Sequence, residues 1–380
     1  MLKELNKLEA ELNTQFPERR SVVHGALAAV IINEHVLLLG PPGTGKSALV
    51  RAIATAFGCR YFERLLTKFS TPEELFGPIS LKGMEQDRYS RITTGKLPEA
   101  ELAFIDEVFK GNSAILNSLL SLVNERLFHN DGTAVTCPLV SMFGASNELP
   151  EGKELEAVFD RFLLRFDVDY LLRPTSFRAV ITASEPSVAT KLNRAQLTGA
   201  QKEAAAVKLT DETIDAMITI RDACRTEGVT ASDRRWKKLT KLVQATAYLS
   251  GADETMPEDL SILVDSLWRD PKERPKLAKV VGRIADPVGA QANEILDAAR
   301  ETATKVSALK ATDRKKYVAE AAAAMDIFNQ QQAKLTGLAK SAGRRAKHVV
   351  GDAIGEINGL HAELARAVSQ GLGLGMRVAK

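Results

Sequence analysis

A chain of 380 residues is too long for one small core, and at roughly 150 residues per domain it holds two or three. Hydrophobic residues at 45% and charged residues at 26% match a globular protein that folds in water, which excludes a mostly disordered or collagen-like chain. Lys and Arg total 51 against 48 for Asp and Glu, and a net charge of +3 sets up no strong field for nucleic acid or anionic lipid.

The opening MLKELNKLEAELNTQF places Leu2, Leu5, Leu8 and Leu12 at helical spacing, without the basic start and continuous apolar middle of a signal peptide. The apolar stretch 25–40 is interrupted by Asn33, Glu34 and His35, well short of the ~20 residues that span a bilayer. Cys59, Cys137 and Cys224 lack Cys-x-x-Cys spacing, so neither a disulfide framework nor a zinc site is supported, and they read as reduced thiols. The five histidines form no ligand spacing either. A cytoplasmic protein is expected.

From residue 36 to about 168 short apolar runs alternate with helical periods, the pattern of a parallel sheet flanked by helices. Strands are predicted at 36–39, 61–64, 102–105, 139–145 and 162–168. After Pro174 only helical periods follow, and Pro271 and Pro275 mark a break before an Ala-rich, charge-studded region that suits a hairpin or three-helix unit. The expected units are an α/β core at 1–174, an α-helical lid at 175–270 and a C-terminal helical domain at 271–380, with 369–380 read as a flexible tail.

Within the first unit, Gly40-Pro41-Pro42-Gly43-Thr44-Gly45-Lys46-Ser47 satisfies G-x-x-x-x-G-K-[ST], follows the apolar run HVLLL and opens the helical pattern SALVRAIATAF that begins at Ser47. In such a loop backbone N–H groups turn inward around phosphate oxygens, the lysine neutralises the β and γ phosphates, and the hydroxyl is offered to Mg²⁺. Downstream, LAFI-Asp106-Glu107 puts two carboxylates at the end of a buried strand, where Asp106 suits the metal and Glu107 the polarisation of an attacking water. A further strand ends near Asn147, whose amide can orient the same water. The run Asp160-Arg161-Phe-Leu-Leu-Arg165 sets two guanidiniums four apart, on one face if helical.

Taken in order, GPPGTGKS, LAFIDE, GASNELP and FDRFLLRF resemble the AAA+ ATPases, and more specifically the MoxR family with its RavA-like branch, over residues 18–259. The stretch TKFSTPEELFGPISLKGMEQDRYSRITTGKLPEAELAFIDE resembles the helix-2 insert of that branch. Its segments 78–84 and 88–93 are expected to pair as a hairpin, which the resemblance aims at the pore of a ring, and 128–133 resembles a second insert; both are expected to touch substrate.

That resemblance implies an αβα AAA+ core with lid, and ATP and Mg²⁺ as ligands. It makes residues 40–48 the nucleotide cradle, Ser47 and Asp106 the metal residues, Glu107 the catalytic carboxylate and Asn147 the first sensor. Arg161 becomes the finger supplied to a neighbouring subunit, with Arg165 the runner-up. In the lid, Arg234, with Arg235 beside it, falls on the second-sensor segment, although Asp233 stands where the family usually has proline. Val22 and Val23 fall where adenine contacts begin. The implied function is a ring-forming, hexameric ATPase that remodels or matures a partner, with a von Willebrand factor A domain protein as the implied partner. A DNA motor or loader is the alternative, disfavoured by the absence of a basic excess and of the GAFTGA signature. The basic stretch 340–347, with Arg344 and Arg345, reads as a solvated helix face.

Overall fold

A computed structural model of the chain describes residues 1–183, 187–309 and 314–371. In chain order the first elements are α1 (Leu2–Gln15), α2 (Arg20–Ile31), β1 (His35–Leu39), α3 (Lys46–Ala56), β2 (Tyr61–Leu65), α4 (Pro72–Phe76), α5 (Leu81–Met84), β3 (Leu102–Asp106) and α6 (Ser113–Glu125). After them come β4 (Leu127–Asn130), β5 (Thr133–Thr136), β6 (Ser141–Ser146), α7 (Lys153–Phe159), β7 (Phe162–Asp167) and α8 (Pro174–Thr182). Helices follow: α9 (Arg194–Ala206), α10 (Asp211–Thr226), α11 (Asp233–Leu249), α12 (Val264–Leu267), α13 (Arg274–Ala285), α14 (Pro287–Leu309), α15 (Arg314–Ser341) and α16 (Arg344–Gly371).

The five strands of the main sheet lie in the order β2-β3-β6-β1-β7, all parallel. Their observed limits fall within two residues of the apolar runs that predict them. The three middle strands are buried along almost their whole length, which is why HVLLL, LAFI and SMFGA read as continuous apolar runs rather than alternating ones. β2 lies at an edge, and its Glu63, Arg64 and Leu65 are exposed. Helix α2 packs on β1 and β7, and α3 on β3.

Because β6 lies between β3 and β1, three strands separated in sequence end side by side, with Leu39 in register with Ser146 and Ile105 with Gly144. The chain therefore delivers residues 40–46, 106–107 and 146–147 to one carboxyl edge, where open α/β sheets bind ligands.

The 78–93 segment differs from the expected hairpin. Ile79 bridges Arg91, Ser80 N–H donates to Ser90 O and Ile92 N–H to Pro78 O, but the outgoing arm then coils into α5 instead of continuing as strand. Ser80 Oγ accepts the Gly83 N–H and caps that turn, supplying locally what a ladder bond would have supplied. The second insert is a true antiparallel hairpin of β4 and β5. Asn130 and Asp131 at its tip reach the first insert: Asp131 Oδ1 accepts from Tyr89 N–H and Asn130 Oδ1 from Arg91 N–H, each at 2.7 Å. Phe76 stacks on Phe128 beneath them.

By contacts the chain divides into two compact units, one of residues 1–217 with 224–277, the other of 218–223 with the described residues from 278. The first holds both the sheet and lid helices such as α11, which packs on α2 and α9. In the second, α14, α15 and α16 all pack on one another. The buried positions step by four and three, as in Ala292, Leu296, Ala299, Ala303 and Val306, which is the seam of a three-helix bundle. Of the tail expected at 369–380, residues 372–380 lie outside the described residues, as do the side chains of Arg344 and Arg345.

Candidate active site

A cleft of about 320 Å³ opens at the carboxyl edge of the sheet, lined by the 40–47 loop, Phe104, Asp106, Glu107, Ser146 and Asn147. Pro41 and Ala48 are the members of the predicted cradle outside that lining. The loop can wrap inward because Gly43 (φ 78°) and Gly45 (φ 83°) adopt left-handed backbone, and Gly45 is the N-cap of α3. A helix N-terminus preceded by such a turn directs free N–H groups at an anion.

Lys46 Nζ donates to Gly40 O at 2.8 Å and Pro41 O at 2.7 Å, so the ammonium lies across the mouth of its own loop. Burial holds its pKa below the ordinary lysine value, while Asp106 and Glu107 pull the other way. Ser47 and Asp106 face the same cleft. A hydroxyl and a carboxylate are the hard oxygen donors that Mg²⁺ takes alongside phosphates and water, so the donor set fits that ion.

Asp106 closes β3, and its Oδ1 accepts the Glu107 N–H at 3.0 Å. Glu107 itself adopts left-handed backbone at φ 52°, ψ 46°, uncommon for a residue with a side chain and a form of strain found at functional sites. That turn departs from the strand direction and brings Glu107 to the cleft. Asn147 is exposed at the end of β6 and lines the cleft as well.

On another side the loop is walled by Phe16, Arg19, Val22, Leu38, Leu49 and Val168 together with Thr44, Gly45 and Lys46. Val22 is in this wall. Val23 is not: it is fully buried in the core, because successive helix positions point about 100° apart and only one can face the loop. Sequence reading missed Phe16 and Arg19. They sit in the turn between α1 and α2, far from any motif, and only the adjacency of α1 to α3 brings them here.

The arginines divide into two kinds. Arg165 is 2% exposed on β7; its guanidinium lies 4.0 Å over the Phe159 ring and donates to Trp268 O at 2.5 Å. Burial drives its pKa well below the usual arginine value, with Arg235 adding in the same direction. The expectation that Arg165 serves as alternative finger is therefore corrected. The segment is strand, not helix, and a guanidinium enclosed there and bonded to carbonyls cannot reach another molecule.

Arg235 is corrected likewise. It donates to Phe162 O, Leu163 O and Ser266 O, lies 3.6 Å from Asp160, and is pulled down to about 10 by burial. Arg161 and the exposed Arg234, by contrast, line a shallow concavity with Asp160, Leu163, Ser232, Arg235 and Lys238. No residue of this cationic concavity lines the phosphate cleft.

With that geometry in place, residues 3–208, more than half of the chain, match the family of the MoxR domain in MoxR-vWA-beta-propeller ternary systems. The chain belongs to the MoxR family of AAA+ ATPases. Residues 212–281 match the AAA lid domain. Two uncharacterized proteins of Methanocaldococcus jannaschii are similar to this MoxR-family chain, one 42% identical over 80% of this chain and 82% of its own length, the other 41% identical over 83% of each. Protein MoxR of Paracoccus denitrificans is 29% identical over 47% of this chain and 53% of its own. A solved Cytophaga hutchinsonii structure, described as a candidate ATPase, superposes with TM-score 0.62 at 17% identity, covering 74% of this chain and 94% of that one, which speaks for the fold alone.

Proposed function

We propose that this MoxR-family chain is a Mg²⁺-dependent ATPase that works as a ring, hexameric by resemblance, and couples hydrolysis to remodelling or maturation of a partner carrying a von Willebrand factor A domain. The observation that carries the proposal is the separation of two half-sites within one unit. The phosphate cleft has the loop, Asp106, Glu107 and Asn147 but no arginine in its lining, while Arg161 and Arg234 converge elsewhere around their own concavity. A second copy docking its concavity against the cleft completes the charge balance that phosphoryl transfer needs.

In this reading the 40–47 loop cradles the phosphates, Lys46 leaves its carbonyl partners for phosphate oxygens, and Ser47 and Asp106 hold the ion. Bound Mg²⁺ supplies neutralisation of the β and γ oxygens. Glu107 polarises the attacking water, Asn147 orients it, and Arg161 from the neighbour stabilises transition-state charge, an effect worth about 10³ to 10⁵ in rate. Arg234, lying beside Arg161, acts across the same junction. The vWA partner is supported by the ternary systems named in the family's description, and the RavA-like assignment by the 67–107 insert. A cytoplasmic location accords with the described helices, none of which is long and apolar enough to cross a membrane.

Mixing tests the shared pocket. Arg161→Ala and Glu107→Gln are each expected to be nearly inactive alone. Combined in equal amounts and allowed to exchange, they regain up to about a quarter of wild-type turnover, since random order pairs an intact Glu107 with an intact neighbouring Arg161 at one junction in four. Mixtures no more active than either variant would reject the shared site.

A further inference from the structure

The geometry points to Lys110 as the positioning residue of Glu107, an inference that rests on reading Glu107 as the water-polarising carboxylate. Glu107 caps a 3-10 turn, Val108–Lys110, closed by the bond from Lys110 N–H to Glu107 O at 2.8 Å. In a 3-10 turn residues three apart stack on one another, so the turn that carries Glu107 into the cleft also sets the Lys110 side chain above it. Lys110 Nζ lies 3.3 Å from Glu107 Oε2, an ion-pair distance although not aligned as a hydrogen bond. Oε2 is closed off from solvent and accepts no hydrogen bond. The ammonium is thus what compensates that oxygen.

One end of the carboxylate is anchored while Glu107 still lines the cleft, and Lys110 is not among the residues of that lining. The division of labour follows. Lys110 fixes the rotation of a side chain already held at strained backbone, leaving the other oxygen for water, and takes no part in contacting nucleotide. Without it, the buried oxygen recovers solvation only by turning the carboxylate out of the reactive orientation.

Lys110→Met, which keeps the aliphatic stem, is expected to lower kcat about tenfold while leaving KM within about twofold, and Lys110→Arg to keep most of the turnover. Two further measurements separate positioning from a merely structural role. In a Glu107→Gln background, Lys110→Met is expected to cause no further loss of residual hydrolysis, because there is no carboxylate left to orient. In the nucleotide-free protein, competitive amine acetylation read by mass spectrometry is expected to modify Lys110 about threefold faster once Glu107→Gln removes its partner. Wild-type kcat in Lys110→Met, an equal fractional loss in the Glu107→Gln background, or unchanged acetylation would each overturn the inference. Should Glu107→Gln alone hydrolyse at the wild-type rate, the reading of Glu107 fails first, and the single variant shows it.

Discussion

Four arginines near the junction of β7 and the lid look alike in sequence and differ by what surrounds them. Arg235 serves four backbone carbonyls, those of Asp160, Phe162, Leu163 and Ser266, two of them on β7, and replacing it orphans those acceptors inside the protein. An unsatisfied buried polar group costs about 1 to 3 kcal/mol, so Arg235→Met is expected to lower unfolding free energy by roughly 3 kcal/mol in urea titration. Arg161→Ala should stay within about 0.5 kcal/mol of wild type, since its Nε is buried without a partner and little native bonding is lost. A stable, nucleotide-binding but inactive Arg161 variant beside a destabilised Arg235 variant would separate surface chemistry from scaffold. The reverse pattern would contradict both assignments. Sequence ranked the four cations only by resemblance, because a physical sorting depends on Phe159, Ser266 and Trp268, brought close only by the fold. The phosphate loop and the Asp106-Glu107 pair were legible because strand, motif and helix are contiguous there, and no long-range packing is needed to recognise them.

At the scale of elements, the sheet was readable and its fastenings were not. Unbroken apolar runs announce the middle strands, but nothing in HVLLL says that its first residue staples three elements together. His35 is fully buried; its Nδ1 accepts from Met142 N–H on β6 at 2.9 Å, its Nε2 lies 3.1 Å from Val123 O at the end of α6, and Arg126 crowds the ring. Burial, with Arg126 in second place and Lys238 behind it, holds the His35 pKa well below the ordinary 6.5. Protonation would also destroy the acceptor that Met142 needs. Below pH ~6.5 the unfolded chain therefore takes up a proton that the native chain refuses, and stability falls as the pH falls. Between pH 6.5 and 5.5 this one site should remove about 1 kcal/mol. His35→Asn, whose Oδ1 can still accept from Met142, is expected to lose that increment of pH dependence when the two proteins are compared by denaturant titration. Equal acid sensitivity in both would show that His35 does not carry the effect. The same lesson applies to the inserts. Sequence located both, but the side-chain bonds from Asn130 and Asp131 that tie one to the other join residues about forty positions apart, which only the folded chain brings together.

For the molecule as a whole, the proposed sharing of the pocket would make catalysis a property of association. A pocket complete within one copy would hydrolyse ATP at a rate per subunit independent of concentration. A pocket finished by a neighbour's Arg161 has a turnover that tracks the fraction of subunits with a partner, because the missing cation is worth about 10³ to 10⁵ in rate. Specific activity is thus expected to fall toward background on dilution through the dissociation constant of the assembly, in step with sedimentation or mass photometry. The transition should move to lower protein concentration at saturating ATP if nucleotide is bound between copies, since a ligand that prefers the assembled state draws the equilibrium toward it. Salt offers an independent control: a junction that brings Arg161 and Arg234 to a phosphate-filled cleft depends on charge, so raising ionic strength should weaken association and turnover together. A specific activity that stays level from micromolar protein down to concentrations where only single copies sediment would mean that one chain completes its own site, and the assignment of Arg161 would fall with it.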